Sequence, residues 1–103
     1  MKSRRQYVVV WEFRVRRGRE REFARQYGPR GDWAQLFRRG RGYVRTDLLR
    51  DREVNGRYLT VDVWASPAAY GAFRKKWRAE YAAIDERCEA LTARERLIGH
   101  FEL

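Results

Sequence analysis

Trp64 stands where an alternating strand pattern stops and a helix start signal, serine followed by proline at 66–67, begins. A large side chain at such a junction either lines a cavity or fills a seam between elements. Three other residues bring proton chemistry: Asp62 has a carboxyl, Tyr70 has a hydroxyl, and His100, the only histidine, titrates near neutrality when unperturbed. Whether these groups meet depends on the elements that carry them.

Four segments are predicted as strands. Residues 6–15 are rich in β-branched and aromatic types, residues 43–51 and 57–64 alternate in polarity, and residues 95–103 close the chain. The Asn55-Gly56 pair between the second and third segments is a hairpin turn signal. One apolar face of the first strand consists of Val9, Trp11, Phe13 and Val15.

Two helical layers separate these strands. Residues 19–27 carry aromatic residues four apart and must end at the Gly28-Pro29 turn, after which Asp32 is an N-cap for a second piece. The segment that begins at 66–67 is predicted as one long amphipathic helix ending near Thr92. Its apolar stripe consists of Tyr70, Phe73, Trp77, Tyr81, Ile84, Cys88 and Leu91.

The order β-α-β-β-α-β predicts an α+β, ferredoxin-like fold, in which a four-stranded antiparallel sheet has its helices on one face. A length of 103 residues suits one domain, so a single domain is expected over 1–103. The other sheet face either stays open as a binding platform or is covered by a second copy of the chain. It is expected to carry Glu12, Arg14, Tyr43, Arg45, Asp47, Tyr58, Thr60, Asp62, Trp64 and His100.

Nucleic-acid binding through this face is not favoured. The RNA-recognition strand pattern begins Lys/Arg-Gly-Phe/Tyr, and residues 41–43 (RGY) match only those first three positions, on the second strand instead of the third. Three acidic residues on the same face, Glu12, Asp47 and Asp62, would repel phosphate. The net charge of +10 includes 21 arginines scattered over every predicted element, which is typical of a solvated surface.

Composition also bears on compartment and cofactors. Cys88 is the only cysteine, which excludes a disulfide framework and a cysteine-based zinc site and fits a reducing compartment, so a cytoplasmic location is expected. No apolar run approaches the roughly 18 residues of a membrane span, and the N-terminus has no signal-peptide pattern. With one histidine, no metal-ligand spacing and no glycine-rich phosphate loop after a strand, neither a metal nor a nucleotide or flavin cofactor is expected.

Four stretches of the chain resemble the antibiotic biosynthesis monooxygenase family: WEFRVRRGREREFARQYG, GDWAQLFRRGRGYVRTDLLRD, RYLTVDVWASPAAYGAFRKKW and the terminal GHFEL. The resemblance covers nearly the whole chain. In that family two ferredoxin-like sheets pack face to face as a homodimeric α/β barrel, and each subunit has its own cavity between sheet and helices. The resemblance therefore implies a homodimer that binds a small molecule.

Haem-degrading members of the family form one functional class. They use an asparagine, a tryptophan and a haem-ligating histidine at positions that align with Trp11, Phe73 and Ala83. All three residues differ here, and the chain has no helical histidine to bind iron. Haem degradation is therefore not expected.

Polyketide-oxidising members form the second class. They use a tryptophan followed six residues later by a tyrosine, which match Trp64 and Tyr70, whereas their asparagine and histidine are replaced by Thr60 and Leu49. Such cofactor-independent oxygenases must deprotonate a phenolic substrate and stabilise its anion beside oxygen in a dry pocket. The resemblance then implies Trp64 and Tyr70 as donors.

The other roles are less defined. The general base is open among Asp62, Asp47 and His100. The residues expected to bind substrate are Tyr43, Asp47, Tyr58 and Thr60.

The expected function is therefore a monooxygenase acting on a small aromatic or polyketide-like molecule. The alternative is a non-catalytic dimeric ligand-binding or structural protein of the same fold, which the replaced asparagine and histidine favour. Each site residue also has a structural interpretation: Trp64 fills a seam, Tyr70 belongs to the core stripe, His100 is a hydrogen-bonded strand residue, and the aspartates pair with arginines.

Overall fold

A computed structural model describes residues 5–103 and confirms the ferredoxin-like fold. The strands are β1 (Tyr7–Val15), β2 (Tyr43–Arg50), β3 (Arg57–Trp64) and β4 (Thr92–Glu102). The helices are α1 (Glu20–Tyr27), α2 (Asp32–Phe37), α3 (Pro67–Lys76) and α4 (Arg78–Cys88), followed by a 3-10 turn at Glu89–Leu91. Within the described residues, no helix is long and apolar enough to cross a membrane.

The strands form one antiparallel sheet in the order β2-β3-β1-β4, so β1 lies inside the sheet and pairs with both β3 and β4. The register places Val9 opposite Asp62 on β3 and opposite His100 on β4. Pairing between β2 and β3 shifts after Tyr43, and pairing between β1 and β4 shifts after Val10. The Tyr43 ring, next to the first shift, lies 5.7 Å from that of Phe37 in α2.

The hairpin predicted between the second and third strands is present. Asp51 organises its turn, because Oδ1 accepts the backbone N–H groups of Glu53 at 2.8 Å and Val54 at 3.0 Å. These two bonds and one from Arg57 lower the pKa of Asp51 to about 2. Gly56 then takes a φ of 79°, which a glycine adopts without the steric cost of a side chain.

The first helical layer is broken as expected, into α1 and α2. The chain turns sharply between them, since the N–H of Gly31 bonds to the carbonyl of Gly28 at 3.0 Å. A Cβ on Gly31 would lie 2.2 Å from the carbonyl oxygen of Gln26, so only glycine fits this turn. The turn lets α2 bring Trp33 and Phe37 over the sheet.

The prediction of one long helix after residue 66 was wrong, because α3 and α4 are separate helices joined at Trp77. This residue has φ −106° and ψ 28°, outside the helical range, although its N–H still bonds to Phe73 and its carbonyl still accepts Tyr81 N–H, each at 2.9 Å. The chain therefore changes direction without losing its hydrogen bonds. Stripe residues of both helices still contact the core.

The predicted sheet faces need a correction. Four residues of β3 are buried: Tyr58, Thr60, Asp62 and Trp64. The register pairs them with the apolar side of β1, which faces the helices. Tyr43 joins them there, and the opposite side of β3 carries Leu59, Val61 and Val63. The alternation was predicted correctly and its orientation was not, because aliphatic residues are the usual choice for a core and these lie on the helix-free face.

This helix-free face, termed the open face, combines an aliphatic strip with an ion-pair network. The strip consists of Val8, Val10, Leu59, Val61 and Val63. Arg57 pairs with Glu12 and, at 2.9 Å, with Asp51, while Arg96 pairs with Glu12 at 3.1 Å. These arginines lower the pKa of Glu12, since they hydrogen-bond to its ionised form.

Candidate functional site

A cavity of about 290 Å³ lies between the sheet and the helices, and residues from all four strands and all four helices of the described chain line it. Its wall is mainly aromatic. The lining residues are Trp11, Phe13, Tyr27, Trp33, Phe37, Thr46, Thr60, Asp62, Arg74, Tyr81, Asp85 and Glu95. A largely apolar enclosure of this size with a few polar groups is typical of a small-molecule site.

Asp62 is the buried acid of this cavity. Its residue is 7% exposed, and β3 directs it toward the helices beside the equally buried Thr46 of β2. The Thr46 hydroxyl donates to Asp62 Oδ1 at 2.8 Å and accepts from the Tyr43 hydroxyl at 2.7 Å. The three side chains thus form a relay that ends on the carboxyl.

Burial governs the proton affinity of Asp62. Removing the carboxylate from water raises its pKa to about 7, and the charge of Asp47 adds to the rise, whereas the Thr46 hydrogen bond opposes it. A carboxyl with such a pKa is protonated and deprotonated in comparable amounts near neutrality. It can therefore accept a proton from a bound molecule and release it again.

Arg74 of α3 carries the positive charge on the cavity wall. Its guanidinium donates to the Tyr70 hydroxyl at 2.9 Å and lies 4.0 Å from the centre of the Tyr81 ring. The pKa of Tyr81 is raised, first because the phenol is buried. Tyr81 is therefore a neutral donor at physiological pH, next to a fixed cation.

Trp64 lies in the core and is not among the residues that line the cavity. Its side chain is fully buried, and its ring centre is 5.0 Å from that of Phe73 and 5.4 Å from that of Tyr70. The ring also meets Phe37 edge-on at 5.8 Å, and Phe37 does line the cavity. Trp64 thus supports the wall from behind, and its Nε1 is buried without a hydrogen-bond partner among the described residues.

Tyr70 and His100 form a separate cluster with Tyr7. The Tyr7 hydroxyl and His100 Nδ1 share a hydrogen bond, and the Tyr7 ring lies 5.7 Å from that of Tyr70. His100 itself is exposed. Neither Tyr70 nor His100 lines the cavity, although Arg74 connects Tyr70 to it.

The predicted substrate-binding residues divide in the structure. Thr60 lines the cavity and Tyr43 reaches it through the relay to Asp62. Tyr58 packs in the core, 5.1 Å from the ring of Phe23. Asp47 lies on the open face, where it pairs with Arg45 at 3.2 Å, away from the cavity side of β2.

Sequence reasoning missed several residues that the structure brings to the cavity. Trp33, Arg74 and Tyr81 are helical residues that read as core or surface, and Thr46 reads as an ordinary strand residue. Helical spacing was the available signal for Arg74, because it lies four residues after Tyr70 and seven before Tyr81. The hairpin predicted at Asn55-Gly56 indicated that these two strands pair, but it did not give the register that places Thr46 opposite Asp62.

Comparison with known proteins was informative at the level of family and fold. A model of the family described as antibiotic biosynthesis monooxygenase matches residues 6–87. Among solved structures, SnoaB, a cofactor-independent oxygenase from Streptomyces nogalater, is similar with a TM-score of 0.70 and 25% identity, covering 94% of this chain and 91% of SnoaB. No curated protein sequence matches the chain.

Two more distant structures share the fold. A mutant of MhuD with two manganese protoporphyrin IX molecules bound per active site has a TM-score of 0.71 at 23% identity, with 94% of this chain and 93% of that chain covered. PA3566 from Pseudomonas aeruginosa has a TM-score of 0.64 at 16% identity, with 100% and 95% covered. At these identities the likeness concerns architecture, so the chemistry must be argued from the cavity itself.

Proposed function

This chain belongs to the antibiotic biosynthesis monooxygenase family, and from that membership we propose that it is a cofactor-independent monooxygenase acting on a small aromatic or polyketide-like substrate. The substrate binds in the cavity between sheet and helices. Asp62 is the general base. The similarity to SnoaB, an oxygenase described as cofactor-independent, supports this reaction class.

The observation that carries the proposal is the state of Asp62. Its carboxyl is buried in an aromatic cavity, and its pKa of about 7 leaves a large fraction ionised at neutral pH while keeping it basic enough to remove a proton. The two alternative bases lie elsewhere: Asp47 is on the open face and His100 is exposed. Asp62 is the candidate that lines the cavity.

The reaction needs few protein groups. Asp62 removes a proton from the activated carbon or phenolic hydroxyl of the substrate, which leaves an electron-rich anion. The anion reduces O₂ and combines with it to form a hydroperoxide after taking up a proton. Loss of water from the hydroperoxide gives the ketone or quinone, so that overall a CH₂ group and O₂ become C=O and H₂O.

Arg74 and Tyr81 stabilise the anion in this scheme. The guanidinium is a permanent cation on the cavity wall, and the phenol is a neutral donor beside it. Positive charge near the developing anion lowers the barrier to its formation.

The relay through Thr46 and Tyr43 positions the base. Because the Thr46 hydroxyl donates to Oδ1, that oxygen is held as an acceptor, and the second oxygen of the carboxyl is left to face the substrate. Tyr43 in turn fixes the direction of the Thr46 hydroxyl. Thr46 and Tyr43 therefore act through Asp62 and have no direct chemical role.

The alternative function is binding without catalysis by the same cavity. The observation that favours it is the placement of Trp64 and Tyr70, the two residues that match the polyketide-oxidising members. Trp64 is packed in the core, and the Tyr70 hydroxyl is held by Arg74. If Trp64 and Tyr70 only pack in the core, their match to the polyketide-oxidising members does not support the hypothesis of catalysis.

Oxygen consumption with anthrone as probe tests the proposal. We expect uptake above the buffer blank for the native chain, with Asp62→Asn reducing the rate at least ~100-fold, the usual effect of a general base. Thr46→Val should move the pH profile upward, and Thr46→Ser should restore it. An Asp62→Asn variant as active as the native chain would remove Asp62 as the base, and no uptake by the native chain would favour the binding function.

A further inference from the structure

The charge of the cavity is opposite to the charge of the molecule. The whole chain carries a net charge of +10, yet the ionisable side chains other than tyrosine on the cavity wall are three carboxyls, Asp62, Asp85 and Glu95, and one guanidinium, Arg74. Their formal sum is −2 when all are ionised. Summed over the wall, the charge therefore favours a cationic over an anionic ligand, even though the molecular surface is strongly basic. Arg74 is the group on this wall that can stabilise an anion formed on a bound substrate.

The single cation on the wall is already engaged. Arg74 donates to Tyr70 and stacks on Tyr81. Burial lowers the pKa of Arg74, but Tyr81, Tyr70 and finally Asp85 outweigh that effect and raise it. Asp62, by contrast, has one hydrogen bond among the described contacts, from Thr46, although it is 7% exposed. A buried acid with spare acceptor capacity gains most from a ligand that donates hydrogen bonds.

The aromatic wall suits a cation as well. Six aromatic side chains line the cavity: Trp11, Phe13, Tyr27, Trp33, Phe37 and Tyr81. Aromatic faces attract cations through their quadrupole, most strongly where water is excluded. The Arg74 guanidinium at 4.0 Å from the Tyr81 ring centre shows that a ring of this wall already accepts a positive group.

We infer that the cavity selects ligands with a protonated amine on an aromatic body and rejects carboxylates of the same shape. The ammonium lies toward the two carboxyls Asp85 and Glu95, which share one part of the wall, and the ring lies among the aromatic side chains. This inference names the substrate class of the proposed site and so rests on the proposed function for its relevance to catalysis. Its test measures binding alone, so its failure is distinguishable from a failure of the oxygenation.

Three indoles whose side chains share a three-atom backbone provide closely matched probes: tryptamine is a cation, 3-propylindole is neutral, and indole-3-propionate is an anion that adds two carboxylate oxygens. Their affinities would be measured by calorimetry at about pH 8, where Asp62 is largely ionised, and at roughly 150 mM salt, which screens the distant surface charges. We expect tryptamine to bind at least about tenfold more tightly than 3-propylindole. Indole-3-propionate should bind most weakly.

Variants assign the preference to the cavity. Glu95→Gln should weaken tryptamine binding several-fold and leave 3-propylindole unchanged. Asp62→Asn should weaken tryptamine binding less than Glu95→Gln does, because β1 separates Asp62 on β3 from Glu95 on β4. Glu53→Gln removes the same charge from the exposed β2–β3 turn, outside the cavity wall, and should leave all three affinities unchanged.

Several outcomes would overturn the inference. Equal affinities for the three probes would show that the cavity does not distinguish ligands by charge. Tighter binding of indole-3-propionate would show that the basic surface determines ligand selectivity. An equal loss in Glu95→Gln and Glu53→Gln would assign the preference to total charge. Absence of binding by all three probes at millimolar concentration would also reject it.

Discussion

Trp64 illustrates how a residue that matches a functional position can act through packing. Its ring is enclosed by Phe37, Tyr43, Tyr70 and Phe73. Even Gly40 contributes, because a Cβ there would lie 2.9 Å from the Trp64 ring. The sequence placed Trp64 correctly at the end of a strand and left open whether it lines a cavity or fills a seam, and the geometry favours the seam.

Trp64→Phe is therefore expected to lower stability and leave ligand affinity intact. The smaller ring leaves a void in the core, which should cost about 1–2 kcal/mol and lower the melting temperature by several degrees. Calorimetric unfolding together with tryptamine binding would measure both quantities. Tyr70→Phe is the partner experiment, since it removes a hydroxyl without emptying the core, and a tenfold loss of affinity in Trp64→Phe at unchanged stability would instead place Trp64 in the ligand site.

Asp62 shows the opposite case at the residue scale. Its type and position made it a candidate base from the sequence, alongside Asp47 and His100. Burial distinguishes Asp62 from the other two candidates. It depends on the orientation of the whole sheet face and on the proximity of Thr46 from another strand. Neither quantity is encoded in local residue spacing.

At the scale of elements, the strand and helix pattern was largely predictable and the orientation of β3 was not. Alternation gave the strand because Val, Tyr and Thr favour extended backbone. It could not tell which side meets the helices, because a face of Tyr58, Thr60, Asp62 and Trp64 reads as a surface. The face is internal because the cavity between sheet and helices accommodates polar groups and the aliphatic side is left for the open face.

The junction at Trp77 was unpredictable for a similar reason. Apolar residues keep helical spacing through 70–91, and residues 75–79 contain neither proline nor glycine. In the structure Trp77 contacts Arg39 from outside the helix, whose guanidinium lies 5.3 Å from the Trp77 ring centre, a contact that the spacing does not reveal. Spacing predicts which side of a helix is apolar and does not report such a bend.

The stability of the whole molecule should depend on pH through Asp62. Its pKa is about 7 when folded, against about 3.9 in an unfolded chain, so the folded state binds more protons in between. The contribution of Asp62 to the free energy of unfolding is then fully present below about pH 4. It falls as the pH rises toward 7 and stays low above that pH. Asp51, whose pKa is lowered to about 2, changes stability only below this pH range.

Asp62→Asn is expected to flatten this dependence. Because asparagine stays neutral, the variant should be more stable than the native chain at about pH 8, by on the order of 2–4 kcal/mol, and similar to it near pH 4. Urea unfolding across this range would measure the difference. Glu53→Gln is the control with the same charge change at an exposed site, and parallel curves for native and Asp62→Asn chains would show that Asp62 does not titrate in this window.

Assembly is the remaining property of the whole molecule, and we predict a homodimer through the open face. That face combines the aliphatic strip of β1 and β3 with Leu49 and Phe101, which are 49% and 47% exposed. Within the strip, Val8 and Val63 are already buried, whereas Val10, Leu59 and Val61 are partly exposed. A second copy related by a two-fold axis would cover these partly exposed residues together with Leu49 and Phe101. Apolar side chains on a sheet face gain most when removed from water in this way.

Sedimentation equilibrium at micromolar concentration would test the dimer. We expect twice the 12.5 kDa mass of the chain and a shift to the single-chain mass in Leu49→Arg, because a charge would be buried against the partner's apolar strip. Val54→Arg is the matched control, since Val54 is 39% exposed but lies in the β2–β3 turn, outside the open face. A native chain that sediments only at 12.5 kDa would reject the dimer, and equal dissociation in both variants would place the interface elsewhere.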